Sequence, residues 1–460
     1  MAVPVRQFAQ VHQRPEWSRT LAILLAVALS ALLGVAMVKL GTVQRDLKAI
    51  LIMAGALAMV IAALRPRIGV VVLLALMPFD YGFSGTGIDQ VLIVATAAVL
   101  AWRIQWRAVP AWASIGGIAL VLGSFASAIG AHDSTVALWG AVRWLGVLIV
   151  FFAVFTLLRD RRDASRRMID IFTGSALVVA MFGLAQRAGI DILVGAPYLA
   201  GKPNSFFGYY TNYGGYVAMA ATLATGELLA ALGERRPWRA LIYSGALTVL
   251  LVGLAISTSR GGLLALGVGW LLLLVLNLRR GSVLVQGVTI LAVFTAAAYV
   301  ATPRSTVTVL SERLTQTITH RADYSDKTRF ALENAGATAL ATHPLGLGYR
   351  NFGFYLRGHV RTLNIRHVFA HAQNTPLQIG LDAGWVGLGG FMMLFLWPVG
   401  LVLVRGGEGP SSVRASAFAA ALVGFMAQGS FDYLLYEIAF LAFFAALVWG
   451  TVHALSVDRQ

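Results

Sequence analysis

The chain has no cysteine, which excludes disulfides, a thiolate nucleophile and a zinc–thiolate site and leaves the redox compartment unmarked. Charge is scarce too: Asp, Glu, Lys and Arg make up only 12% of the 460 residues, with 20 acidic against 36 basic side chains. That is too little charge to clothe a water-exposed surface, so a soluble single-core enzyme, a nucleic-acid-binding module and a disordered scaffold are all excluded. Apolar residues dominate at 58%, with a mean hydropathy of +0.75. The composition is that of an all-α, polytopic membrane protein. Residues 1–20 carry Arg6, Arg14 and Arg19 and lack a small-residue cleavage site after a short apolar stretch, so 21–40 reads as a retained first span.

Runs long enough to cross about 30 Å of hydrocarbon fall at 21–38, 49–64, 68–79, 91–102, 110–130, 136–158, 168–186, 213–232, 240–257, 261–278, 283–301, 384–404, 415–431 and 434–454. Because 68–79 and 91–102 are short, the expectation is 12 to 14 spans. The chain then divides into N-terminal transmembrane helices (1–301), one large external loop carrying catalytic elements (302–383) and C-terminal transmembrane helices (384–460). A cytoplasmic N-terminus assigns 20 Lys and Arg to internal loops, among them the Arg159–Arg167 cluster, Arg239 and Arg414. Short external loops receive only 6: Lys39, Arg45, Lys48, Arg187, Lys202 and Arg260. The positive-inside rule therefore puts both termini in the cytoplasm. The loop from 302 to 372 holds 9 basic and 4 acidic residues and 5 of the 8 histidines, with a helix expected over 326–342. A loop of that length in a compact fold is functional or disordered, and its aromatic and Pro/Gly punctuation favours an ordered lid.

Ionisable residues at membrane depth are costly unless paired or facing water. Few are expected to be buried. Arg143 lies roughly 10 Å into its span and either snorkels to the external surface or serves the site. Arg260 follows the tight turn Ser257-Thr-Ser and precedes Gly261-Gly262, a setting that suits an oxyanion or anchors a hairpin at the interface. Asn212 opens the span after Phe206-Phe-Gly-Tyr-Tyr and is expected to serve as its N-cap. His371 falls at the membrane boundary, on the side that Arg143, Arg260 and Arg329 share. A site outside the cytoplasmic membrane has no nucleotide sugar, so an enzyme there takes a donor activated by a membrane lipid. Arginine forks suit its diphosphate, and a histidine suits the role of base for the acceptor hydroxyl.

These residues bring a family into view. The segments Phe207 to Asn212, Thr258-Ser-Arg-Gly261, Arg329 to Pro344-Leu-Gly-Leu-Gly-Tyr-Arg-Asn-Phe352, and His371-Ala-Gln-Asn374 to Leu377-Gln378, Asp382-Ala-Gly384 and Gly387 stand in order around the large loop. In this the chain resembles the O-antigen ligase and polymerase superfamily of bacterial membrane proteins. The resemblance implies a GT-C-like, inverting glycosyltransferase of the bacterial inner membrane with its active site facing the periplasm. It would move a glycan from undecaprenyl diphosphate to lipid A–core or to a growing glycan, with no metal and no cofactor. It also implies His371 as base, Arg143, Arg260 and Arg329 on the diphosphate, and Asn212, Gln373 and Asn374 as further substrate contacts. Two positions depart from the family pattern. Its loop end reads His-x-His-Asn, whereas Gln373 stands in the second histidine's place, so the chain either uses His371 or is impaired. Glu333 replaces the aromatic that usually follows the loop arginine.

An O-antigen or exopolysaccharide polymerase uses the same chemistry on another acceptor, and transfer to protein hydroxyls is a further variant. A transporter of lipid-linked glycans is the rival from outside enzymology; it calls for ionisable residues near the midplane in paired halves, which the sequence does not display. The topology makes the first prediction. Single cysteines introduced into this cysteine-free chain should label from the cytoplasmic side at both termini and at 159–167, and from the external side throughout 302–372. Cytoplasmic labelling at residue 340 would overturn the reading.

Overall fold

The computed structural model describes residues 104–158, 163–190, 202–301, 324–358, 369–405, 409–436 and 438–457, with a few isolated positions besides. The expected spans 21–38, 49–64 and 91–102 and most of 68–79 lie outside the described residues, as does His367, a second histidine at the end of the large loop. Among the described residues the regular structure is helical: α1 Ala111–Ile129, α2 Ser134–Leu157, α3 Ala164–Arg187, α4 Tyr210–Gly233, α5 Pro237–Ser257, α6 Arg260–Leu276, α7 Gly281–Ala301, α8 Tyr324–Thr342, α9 Phe352–Arg357, α10 Thr375–Arg405, α11 Pro410–Gly429 and α12 Ile438–Val457. Of these, 7 are long and apolar enough to cross a membrane, and α6, α7 and α12 contain shorter apolar stretches. The protein is thus a multi-pass helical membrane protein. α8 coincides with the helix expected in the large loop.

Small residues set the packing. In hydrocarbon there is no hydrophobic drive between helices, so close backbone approach must supply the attraction. α1 and α10 meet through Gly116, Gly123 and Gly390: a Cβ on Gly123 would lie 2.3 Å from the Ala383 carbonyl oxygen, and one on Gly390 2.4 Å from that of Gly116. Gly424 of α11 lies as close to α6, where a Cβ would come within 2.5 Å of the Ala265 carbonyl oxygen. α4 sits at the centre, with Tyr213, Tyr216 and its alanines buried on all sides.

α10 is broken at Gly384, whose φ of 67° and ψ of −175° are open only to glycine. The 344–348 segment takes over both halves of the lost helical hydrogen bond. The Leu381 carbonyl accepts from the Leu347 amide at 2.6 Å and the Gly348 amide at 3.2 Å, and the Trp385 amide donates to the Pro344 carbonyl at 3.0 Å. The Leu381 carbonyl and the Trp385 amide thus both keep a partner, as burial in a membrane protein requires. The position where the sequence divides loop from span is therefore a hinge between a half-helix, 375–383, and the span proper.

Two expectations about charge are corrected. Arg239 and Arg414, assigned to internal loops, are 4% and 6% exposed, and the expected scarcity of buried charge does not hold. Arg239 reaches Asp170 at 2.7 Å and Glu227 at 2.8 Å, while Arg414 reaches Glu227 at 2.6 Å and Glu234 at 2.7 Å. Tyr243 donates a short hydrogen bond to Asp170 as well. The network ties the start of α3, the end of α4 and the starts of α5 and α11. Sequence reading missed it because the partners lie on different helices, each near a helix end where a cation ordinarily faces water. Glu227→Ala should leave two buried guanidiniums without their shared carboxylate, a loss of about 3–5 kcal/mol for a broken buried pair. A clear fall in the detergent-solubilised melting temperature is the expected readout, and an unchanged one would show that water enters this end.

Candidate functional site

The opposite end of the bundle, where α4, α6 and α10 begin and α11 ends, gathers the residues singled out in the sequence. Thr258 adopts a left-handed conformation (φ 51°) that reverses the chain after α5. The Ser257 hydroxyl accepts from the Ser259 amide at 3.2 Å, and the Ser259 hydroxyl caps α6 by accepting from Gly262 at 3.0 Å. The serines therefore close the turn, and Arg260 is the first residue of α6. Gly214 and Gly262 let the starts of α4 and α6 touch, since a Cβ on Gly262 would lie 2.8 Å from the Gly214 backbone.

Arg329, in the second turn of α8, pairs with Asp432 at 3.1 Å. Arg260 acts on the same carboxylate, and burial pushes Asp432 up to about 6 against the pull of Arg329, Gln428 and Arg260. Asp432 lies in the turn after α11, held by Thr375, whose hydroxyl donates to the Asp432 carbonyl at 2.7 Å and accepts from the Leu434 amide at 3.0 Å. Two arginines from separate parts of the chain thus converge on one carboxylate.

The next residue looks the other way. Tyr433 donates to Asp382 at 3.2 Å, and Gln378 donates to the other Asp382 oxygen at 2.7 Å while accepting from the Ala372 amide at 2.7 Å. The His371 ring lies against Tyr433 with centroids 5.5 Å apart. Burial first, and the charge of Arg350 second, push His371 down to about 4, so it is neutral at physiological pH and able to accept a proton. Gln373 has a left-handed backbone (φ 56°) that turns the chain toward α10.

The remaining expected site residues divide. Arg143 does not snorkel: it is 3% exposed, donates at 2.9 Å to both the Tyr349 hydroxyl and the Leu435 carbonyl, and acts on Asp382 and Tyr433. Asn374 caps α10, accepting from the Leu377 amide at 3.0 Å and donating to the Ser430 carbonyl at 3.0 Å. Asn212 is not an N-cap, because α4 begins two residues earlier and Tyr209 precedes it; the residue lies buried in the first turn. Lys202 stacks over Tyr210 at 4.9 Å. Glu333, the departure in α8, bonds to Asn374 and feels Arg329, while burial raises its carboxyl. Asp133 caps α2 through the Val136 amide at 3.0 Å.

Sequence reading overlooked Asp432, Tyr433 and Arg350 as site residues. Asp432 did leave a signal, as a lone acid in the short turn between two apolar spans of a chain poor in acids. With His371 held down to about 4, its neutral form is lost only as pH falls through that value. If His371 is the base, the acid limb of kcat/KM should lie near pH 4, well below the 6–7 of an exposed histidine. Initial rates measured across that range, with His371→Ala as reference, would check it, and a limb near 6.5 would contradict this environment.

No curated protein matches the chain. Residues 245–392, which run from within α5 through the break in α10 and include Arg260, Arg329, Arg350, His371 and Gly384, match the family model described as O-antigen ligase. That match supports the chain as a membrane protein of the O-antigen ligase and polymerase superfamily.

Proposed function

We propose that the protein is a membrane glycosyltransferase that moves a glycan from an undecaprenyl-diphosphate-linked donor onto an acceptor sugar at the periplasmic face of the bacterial inner membrane. The observation that carries this reading is the convergence of Arg260 and Arg329 on Asp432, one residue from the tyrosine against which His371 lies. A carboxylate shared by two arginines is the internal stand-in for a diphosphate, whose greater charge and larger set of non-bridging oxygens suit two guanidinium forks better. Asp432 then holds the arginines in place while the donor is absent. Arg143, with both amino groups engaged, contributes positive charge to the site more than a fork of its own.

In the reaction the acceptor oxygen attacks the anomeric carbon from the face opposite the leaving group, which inverts configuration. The new carbon–oxygen bond forms as the bond to the diphosphate breaks. Its electron pair leaves with the lipid diphosphate, which is stable as an anion. The acceptor proton passes to His371 and then to solvent. Gln373 and Asn374 follow His371 in the sequence, and Gln373 orients the acceptor hydroxyl through its amide, which is too weakly basic to take the proton. The chemistry is the same for ligation to lipid A–core and for chain polymerisation. No step requires a metal, so transfer should survive EDTA.

Purified protein given a defined undecaprenyl-diphosphate glycan and either acceptor tests this directly. His371→Ala should lose about 10²–10⁴-fold in kcat with donor affinity intact, and Gln373→Ala should lose less. Arg260→Lys retains charge but not the fork, so it should be nearly as inactive as Arg260→Ala. Full activity of both Arg260 variants would reduce that residue to an interfacial anchor.

A further inference from the structure

Asp382 lies in the half-helix that opens α10, two residues before the break, and is 2% exposed. Two neutral donors hold its carboxylate, the Gln378 amide at 2.7 Å on one oxygen and the Tyr433 hydroxyl at 3.2 Å on the other. A carboxylate buried in a membrane protein on such donors costs more than an apolar residue filling the same space. Both donors lead to His371. The side-chain oxygen of Gln378 accepts at 2.7 Å from the Ala372 amide, the N–H of the peptide bond that follows His371. Tyr433 lays its ring against the imidazole, with centroids 5.5 Å apart and planes inclined by 50°. Asp382 therefore reaches His371 by two routes, one through its backbone and one across its ring. The anchor is fixed in turn. The Asp382 carbonyl accepts from the Ser127 hydroxyl of α1 at 2.6 Å, and the Leu381 carbonyl takes the Leu347 and Gly348 amides. Ala372 is fully buried, and a Cβ on Gly336 of α8 would lie 3.2 Å from its methyl carbon.

A general base works only within hydrogen-bond reach of the proton it takes, and a misplacement of about 1 Å can cost on the order of 10²-fold in rate. An imidazole held at its following peptide bond and along one ring face has little freedom to drift or tilt. We propose that Asp382 is a positioning residue that acts through Gln378 and Tyr433 to set the place and tilt of the His371 ring. The inference rests on the transferase function proposed above and on His371 as its base. Asp382 takes no proton and touches no substrate in this role. What it supplies is a pair of acceptor oxygens at a fixed spacing, one for each route, so its geometry matters more than its charge.

The test uses full-length protein in lipid nanodiscs, a synthetic undecaprenyl-diphosphate glycan as donor, and lipid A–core or the lipid-linked glycan itself as acceptor. Asp382→Leu keeps the branched shape but removes both acceptor oxygens, and should lower kcat by about 10–10²-fold with the donor KM unmoved. Asp382→Asn can still accept from Gln378 and donate to the Tyr433 hydroxyl oxygen, so it should recover most of the rate. In a His371→Ala background Asp382→Leu should cost nothing further, because a positioning residue has no effect once the group it positions is gone. If Asp382→Leu does not fold, Gln378→Met and Tyr433→Phe cut the same two routes from their far ends and replace it in the cycle with His371→Ala. Losses that multiply in the double variant, a raised donor KM, or an Asn variant as slow as the Leu variant would overturn the assignment while leaving the transferase reading intact. Full turnover by His371→Ala would remove His371 as the base and this inference with it. Absence of transfer to either acceptor by wild type would instead overturn the proposed function.

Discussion

The arginine-bearing end of the molecule hangs on the break in α10 at Gly384. An unbroken helix of 31 residues would run about 46 Å at 1.5 Å per residue, well beyond the hydrocarbon thickness. The break lets the first part serve as a separate platform. Because the Leu381 carbonyl and the Trp385 amide exchange their mutual hydrogen bond for bonds to the 344–348 loop, three things become one unit: the loop that carries Arg350, the half-helix that carries Gln378 and Asp382, and the span beyond. α8 closes on this platform through Leu332, Ala335, Ala339 and Leu340, which pack with Ala372 and Leu381 in a core of their own. That packing is what brings Arg329 over Asp432.

The two ends of the bundle handle charge in opposite ways. At one end Arg239 and Arg414 are matched by Asp170, Glu227 and Glu234 in close contacts that are buried except at the Glu234 edge. Charge there is consumed by pairing, and its use is to hold the register of four helices. At the other end, among the described residues, Arg143, Arg260, Arg329 and Arg350 act on Asp382, Asp432 and Glu333. These arginines come from separate helices and a loop, and all but Arg143 are partly exposed, which suits a ligand better than the enclosed network at the other end does. The enclosed network weakens the argument against a transporter that rested on an absence of buried charge, since buried charge is present. The case for transferase chemistry rests instead on the single-ended grouping of the arginines around His371.

The sequence alone determined the class of the protein and most of its described helices. Apolar runs over 110–130, 136–158, 168–186 and 213–232 lie within a few residues of α1 to α4, because a stretch that must satisfy its own backbone in hydrocarbon has little choice but helix. Arg260, Arg329 and His371 were legible as a group because polar residues at membrane boundaries are few, whereas the sequence marked Gly384 only as the boundary between loop and span and not as a break within one helix. What only the tertiary structure decided is partnership. Arg143 and Asn374 turned out to be engaged by Tyr349, Leu435 and Ser430, residues far away in sequence, and Asn212 lies inside its helix where a cap had been expected. Asp432 gained meaning only when α8 and α6 delivered arginines to it, and Arg350 only when a curled loop set it over the Tyr349 ring. Helix formation in a membrane is a local bargain between neighbouring backbone groups and can be read along the chain. The pairing of charges between helices depends on long-range packing, which no local pattern encodes.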